Sequence, residues 1–211
     1  MTSHDVVGYL RRKFQPRKIG HGGTLDPVAC GVLVCLVNDA TKRSSEISGT
    51  RKIYLAEAAF GIKTDTGDLE GRVIETGDVN IEEKNILETL ERFTGEIEQI
   101  PPMTSAIKVG GKPLYKLARK GLEIERAVRK VTIYSLRLRR FSEGPGRPAA
   151  LFEVECSGGT YVRTLVEDIG RAMGAPAVTS FLERMAVGPF RVEDAVNPDE
   201  VSERHLVDLP E

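Results

Sequence analysis

Apolar positions along the chain change period several times, and those changes predict the elements. Residues 31–37 (GVLVCLV) form a short, valine-rich apolar run that reads as a buried strand. Residues 53–60 mix Tyr, Leu, Ala and Phe with a single acid and read as a second strand. Gly61 and the polar stretch Lys63-Thr64-Asp65-Thr66-Gly67-Asp68 make a long turn, and residues 71–75 a further strand. The period then becomes helical: Ile86, Leu87, Leu90 and Phe93 share one face of a helix over 81–94, preceded by Asn80 and Glu83 in a capping-box pattern. Pro113 and Gly121 bracket a short helix over 113–120. Strands over 129–141 and 149–156 flank the turn signal Gly144-Pro145-Gly146. Tyr161, Leu165, Ile169 and Met173 keep helical spacing up to Gly174, a helix stop. Val178, Phe181, Leu182 and Met185 predict one more helix. Strands and helices intermix without a βαβ rhythm and without internal repeats. The expected class is α+β, a mainly antiparallel mixed sheet flanked by helices.

Length and composition narrow the picture. At 211 residues the chain is one domain, or one domain with a small lobe. With 40% hydrophobic and 29% charged residues it has the composition of a folded globule rather than a disordered chain. The longest apolar run is too short to span a bilayer, and no charged-then-apolar leader opens the chain, so no membrane association is expected. Three cysteines, an odd number, suit a reducing, cytoplasmic setting. Cys30 and Cys35 lack a second pair, and only His4, His21 and His205 could join them, so no metal site is expected.

The formal charge of -1 hides an asymmetry. Residues 101–140 carry eleven Lys and Arg against Glu123 and Glu125, a local +9, so the remainder totals -10. A solvated amphipathic face accounts for such a cluster; so does a lobe that contacts phosphates, because clustered cations release counterions from a polyanion.

Residues 19–31 (IGHGGTLDPVACG) hold four glycines, which implies tight turns or close backbone approach. No Gly-Lys-Ser/Thr follows, so this is not a phosphate loop. Read locally, Asp26 before Pro27 caps a turn and His21 is a hydrogen-bonded loop histidine. Tyr54 reads as a strand core aromatic, and Tyr161 and Leu182 as helix core.

Seven segments in order resemble one family. Gly20-His21-Gly22-Gly23-Thr24-Leu25-Asp26-Pro27 leads into Gly31-Val32-Leu33 and Ala40-Thr41-Lys42. Next come Arg51-Lys52-Ile53-Tyr54, Gly61 with Thr64-Asp65-Thr66-Gly67-Asp68, and Pro101-Pro102 with Ser105-Ala106-Ile107-Lys108. Gly111-Lys112-Pro113-Leu114-Tyr115, Gly159-Thr160-Tyr161-Val162-Arg163 and Phe181-Leu182-Glu183-Arg184 complete the set. From about residue 2 to 190 the chain resembles the TruB family of tRNA pseudouridine-55 synthases. The resemblance implies the pseudouridine synthase fold over residues 1–190, with an RNA-gripping insertion at about 101–130. It implies an isomerase that flips one uridine from the tRNA T loop, breaks its glycosidic bond and rejoins carbon 5 to the ribose, with no cofactor. The family's aspartate nucleophile corresponds to Asp26 and its partner arginine to Arg163; a carboxylate attacks only when ionised, a form that a neighbouring guanidinium favours. Tyr54 corresponds to the active-site tyrosine that stacks on the flipped base and can take its proton. Tyr161 and Leu182 correspond to pocket-lining positions, and His21 to a histidine that contacts RNA. Lys108, Lys112 and Lys116 fall where the insertion would grip the RNA backbone. Attack on the ribose, addition to the base and elimination to a glycal all remain open.

Some features depart from the family pattern. The usual opening strand with Lys-Pro-x-Gly is absent, and residues 191–211 form an acidic extension too short for the usual C-terminal PUA domain. Gly158 stands where a lysine is common and Gly22 where bacterial members have threonine. The expected partner is the tRNA T stem-loop, with the protein acting as a monomer. Two other readings use the same scaffold: a non-catalytic RNA-binding or tRNA-folding protein, and a guide-dependent synthase of the Cbf5 type.

Overall fold

A computed structural model describes residues 1–105, 107–118, 120–143 and 147–209. The elements in order are α1 (Ser3–Phe14), β1 (Ile19–His21), β2 (Cys30–Gly31), β3 (Cys35–Val37), α2 (Ser44–Gly49), β4 (Lys52–Phe60), β5 (Ile62–Thr64) and β6 (Val73–Thr76). Then come α3 (Glu83–Arg92), β7 (Gly95–Gln99), β8 (Lys108–Val109), β9 (Lys112–Pro113), α4 (Leu114–Ala118), β10 (Arg129–Ser142) and β11 (Ala149–Cys156). The chain continues through α5 (Val162–Ala172), β12 (Ala177–Val187) and β13 (Phe190–Arg191).

The main sheet runs β13-β12-β4-β11-β10-β7, all antiparallel, with β2 added parallel to β12. This is the mainly antiparallel mixed sheet that the intermixed pattern predicts. In β4, Tyr54, Ala56, Ala58 and Phe60 are buried on the face that carries α3 and α5. The small alanines let α5 lie close to the sheet, and Gly170 of α5 touches the 175–177 segment so tightly that a Cβ would stand 2.7 Å from the Ala175 carbonyl oxygen. Phe152, Val154, Leu165, Val166 and Ile169 fill the space between. This helix-to-sheet layer is the core that carries the site.

Strands over 129–141 and 149–156 and the helix over 161–173 appear nearly as expected; Gly174 takes the left-handed conformation that ends α5. Three expectations need correction. Residues 31–37 are two short strands rather than one, because β2 joins β12 while β3 joins β1. The capping box of α3 is formed by Glu82 and Asn85, two residues later than Asn80 and Glu83. The helix expected from Val178, Phe181, Leu182 and Met185 is strand β12. Register shifts at Thr179/Phe181 and Arg184/Ala186 offset its alternation, and the buried inner position 184 is an arginine, which hides the period of two. Helix α1 escapes the apolar pattern altogether, although Thr2 and Asp5 form a reciprocal capping box at its start. The Gly144-Pro145-Gly146 turn lies outside the described residues.

Candidate active site

Asp26 sits on the loop between β1 and β2, and Arg163 on the first turn of α5. Arg163 Nε donates to Asp26 Oδ2 at 2.7 Å. Both terminal nitrogens of its guanidinium are engaged as well: Nη1 donates to the Thr66 carbonyl at 2.6 Å, to Thr104 Oγ1 at 2.7 Å and to Asp68 Oδ2 at 3.4 Å. Nη2 donates to the Thr104 carbonyl at 3.1 Å. With its side chain 3% exposed, Arg163 has no freedom to swing. Asp26 is 30% exposed, and its Oδ1 has no hydrogen-bond partner among the described residues. A planar, five-donor guanidinium can hold one Asp26 oxygen and four other acceptors at once, leaving the second Asp26 oxygen free for chemistry.

The neighbours of Arg163 are themselves fixed. In the turn after β5, Thr66 Oγ1 donates to Asp68 Oδ1 at 2.7 Å and Thr64 Oγ1 donates to the Asp68 carbonyl at 2.6 Å. The Thr179 amide of β12 donates to the Gly67 carbonyl at 3.0 Å, docking the turn on the sheet. The start of α5 is clamped by Gln99: its side chain accepts from the Tyr161 amide at 3.0 Å and donates to the Tyr161 carbonyl at 3.2 Å. On the other side of the Asp26 loop, Ser3 Oγ of α1 accepts from the Leu25 amide at 2.8 Å.

Tyr54 lies on β4 within the buried cluster that also holds Leu182. Burial pushes its phenol up to about 12, against the opposing pull of the Arg184 guanidinium beside it. Tyr161 precedes α5, half-buried, and burial raises its phenol as well. His21, at the end of β1, is half-buried; burial lowers its imidazole, and the charges of Arg184 and His4 lower it further. It therefore presents a neutral ring, whose Nδ1 accepts from the Gly23 amide at 3.3 Å. Tyr54 and Tyr161 both lie within electrostatic reach of Asp26, Leu182 shares the buried cluster of Tyr54, and His21 and Tyr54 both stand near Arg184.

Lys112 and Lys116 lie apart, exposed on the β8–β9 hairpin and α4; the side chain of Lys108 lies outside the described residues. The basic segment is also less free than its charge implies. Lys130 pairs with Glu96 at 2.8 Å, Arg139 with Glu153 at 2.5 Å, Arg140 with Glu57 at 3.3 Å and Arg126 with Glu123 at 3.4 Å. Gly158 packs on the end of α2, where a Cβ would stand 2.6 Å from the Ser48 carbonyl oxygen, so a lysine there would need the backbone to move.

Four residues of the site carry no role in the sequence reading: Asp68, Gln99, Thr104 and Arg184. Asp68 and Arg184 fall inside the family segments, which is a signal. Gln99 and Thr104 act through backbone and guanidinium contacts that no local pattern announces.

Residues 11–162 match the family described as TruB family pseudouridylate synthase (N terminal domain). The chain is 48% identical over 203 residues to tRNA pseudouridine synthase B of Symbiobacterium thermophilum, covering 96% of this chain and 68% of that protein. It is 47% identical to the protein of the same name from Pelotomaculum thermopropionicum, covering 95% and 64%. The chain thus spans about two thirds of the length of the curated relatives it matches. Among solved structures, a Cbf5-Nop10-Gar1 complex matches with a TM-score of 0.67 at 31% identity, over 90% of this chain and 46% of that one. An archaeal box H/ACA Nop10-Cbf5 complex matches with a TM-score of 0.65 at 28% identity, over 95% and 49%. The match runs through the Asp26 loop, β4 and the start of α5, and on that ground the chain belongs to the TruB family of pseudouridylate synthases.

Proposed function

We propose that the protein converts uridine 55 in the T loop of tRNA to pseudouridine, as a monomer, without a cofactor, in the cytoplasm. The observation that carries this reading is the Asp26–Arg163 pair, held at 2.7 Å with the second carboxylate oxygen unpartnered among the described residues. The reaction breaks the bond from C1′ to N1, turns the uracil and forms a bond from C1′ to C5; the C5 proton leaves and N1 gains one. No electrons or phosphoryl groups are transferred, so the work falls to a positioned carboxylate and a pocket for the base. Asp26 acts as the nucleophile and Arg163 orients it. Tyr54, Tyr161 and Leu182 receive the flipped base, and His21 contacts the RNA beside it. With its phenol neutral below about 12, Tyr54 offers the base a ring face and an O–H. The proton-acceptor role implied by the family resemblance would require the phenolate, a form that burial disfavours and the Arg184 charge beside it favours. Residues 1–190 form the catalytic unit, whose insertion at 101–130 contacts the stem-loop phosphates through Lys108, Lys112 and Lys116.

The relatives' shared name, tRNA pseudouridine synthase B, supports the tRNA substrate. The test is tritium release from tRNA labelled at uracil C5. The wild type is expected to release label from position 55, and Asp26→Asn to fall to background while still binding tRNA. No release by the wild type overturns the enzymatic reading in favour of RNA binding alone; release by Asp26→Asn at the wild-type rate removes Asp26 as nucleophile.

A further inference from the structure

Arg184 is a charged residue at an inner position of β12, 2% exposed, and no carboxylate lies within ion-pair distance of it among the described residues. Burying a guanidinium without a counter-ion costs several kcal/mol after relaxation, and an apolar residue would serve the sheet better. Its hydrogen bonds show where that cost is offset. Nε donates to the Val32 carbonyl at 2.8 Å, Nη1 to the Thr24 carbonyl at 3.3 Å and Nη2 to the Gly23 carbonyl at 3.2 Å. The backbone of the same residue accepts from the Val32 amide at 2.8 Å and pairs with Gly31 in the parallel β2–β12 register. Gly31 has φ +99°, and any Cβ there would collide with the Arg184 backbone.

Arg184 therefore grips both ends of one loop: Gly23 and Thr24 where it begins, Gly31 and Val32 where it returns. Asp26 lies between these anchors, in a turn closed by the Ala29 amide donating to the Asp26 carbonyl at 2.9 Å. Arg163 fixes the Asp26 side chain from one direction; Arg184 fixes the backbone that carries it from another. We propose that Arg184 is a positioning residue, a staple that holds the 23–32 loop in the conformation in which Asp26 reacts. It also stands beside the Tyr54 phenol, so a slack loop would let Asp26 and Tyr54 drift apart. The turnover consequence rests on the activity proposed above; the stapling itself does not.

The test has one readout that depends on the reaction and one that does not. Arg184→Lys keeps the charge but has a single donor group, which cannot reach three carbonyls. It is expected to leave tRNA affinity near wild type while turnover of bound tRNA falls roughly 100-fold, the size of loss that a misplacement of about 1 Å produces. Arg184→Ala is expected to lose more, and added guanidinium at sub-denaturing concentration to restore part of it saturably. In hydrogen exchange, the Ala29 and Val32 amides should open faster in Arg184→Lys while those of β4 and β11 stay as in the wild type. Unchanged exchange in the loop, or a loss confined to tRNA affinity, overturns the proposal. If Arg184→Ala does not fold, the lysine variant alone decides. Faster loop exchange in a protein whose wild type releases no tritium would reject the enzymatic reading and leave the staple standing.

Discussion

Asp26 and Arg163 are 137 residues apart in the chain, yet a 2.7 Å hydrogen bond between them joins the glycine-rich loop to the helix layer. The geometry makes Arg163 hard to replace. A lysine has one ammonium and cannot serve Asp26, Thr66, Asp68 and Thr104 together, so Arg163→Lys is expected to cost at least ~100-fold in turnover, measured under single-turnover conditions. Tyr54 carries a pH signature. Its phenol is raised in the folded state from the usual 10 to about 12. The stability it contributes is therefore complete below pH 10 and is lost as pH rises through about 12. Denaturant unfolding of Tyr54→Phe should lack that component of the alkaline decline. Its turnover should fall with tRNA affinity retained. Because the phenol keeps its proton below about 12, no change in wild-type turnover between pH 7 and 10 should trace to Tyr54. The identity of these side chains is visible in the segments that resemble the family. Their mutual contacts are not, because a guanidinium finds its acceptors only after the sheet has brought three loops together.

Among the elements, α5 and β12 show most clearly what a local pattern can and cannot carry. Helix α5 is legible because its apolar stripe is regular and Gly174 ends it. Strand β12 is misread as helix because two register shifts and a buried arginine break its alternation; the same strand receives β2 and sets Arg184 against the Asp26 loop. The close contact between these elements is testable. Gly170→Ala places a Cβ against the Ala177 side chain and the Ala175 carbonyl and should destabilise the fold by about 1–3 kcal/mol in denaturant titration. The insertion is tied to the catalytic end by Thr104, whose side chain and carbonyl both accept from Arg163. Lys112 and Lys116 are exposed on a hairpin and a short helix, the placement that the proposed contact with phosphates requires.

Across the whole molecule, near-neutral net charge conceals a division of labour. Ion pairs to Glu96, Glu57 and Glu153 hold several cations of the 101–140 segment on the sheet itself. The share of its charge left for the proposed contact with phosphates is thus smaller than +9. Binding of tRNA should still weaken steeply with salt. The double variant Lys112→Ala/Lys116→Ala should reduce the slope of log affinity against log salt by about 1–2, measured by filter binding or anisotropy, with little change in turnover of bound tRNA. An unchanged slope would remove these two lysines from the interface. The sequence by itself determined the α+β class, the asymmetry of charge and, through seven ordered segments, the family. These depend on local periodicity, composition and motif identity, which survive without coordinates. Only the tertiary structure decided that β12 is a strand, that Asp68 and Thr104 share Arg163 with Asp26, and that Arg184 hydrogen-bonds both ends of the Asp26 loop. Those outcomes depend on long-range register and on how each buried charge finds its acceptors, and no stretch of chain can determine them alone.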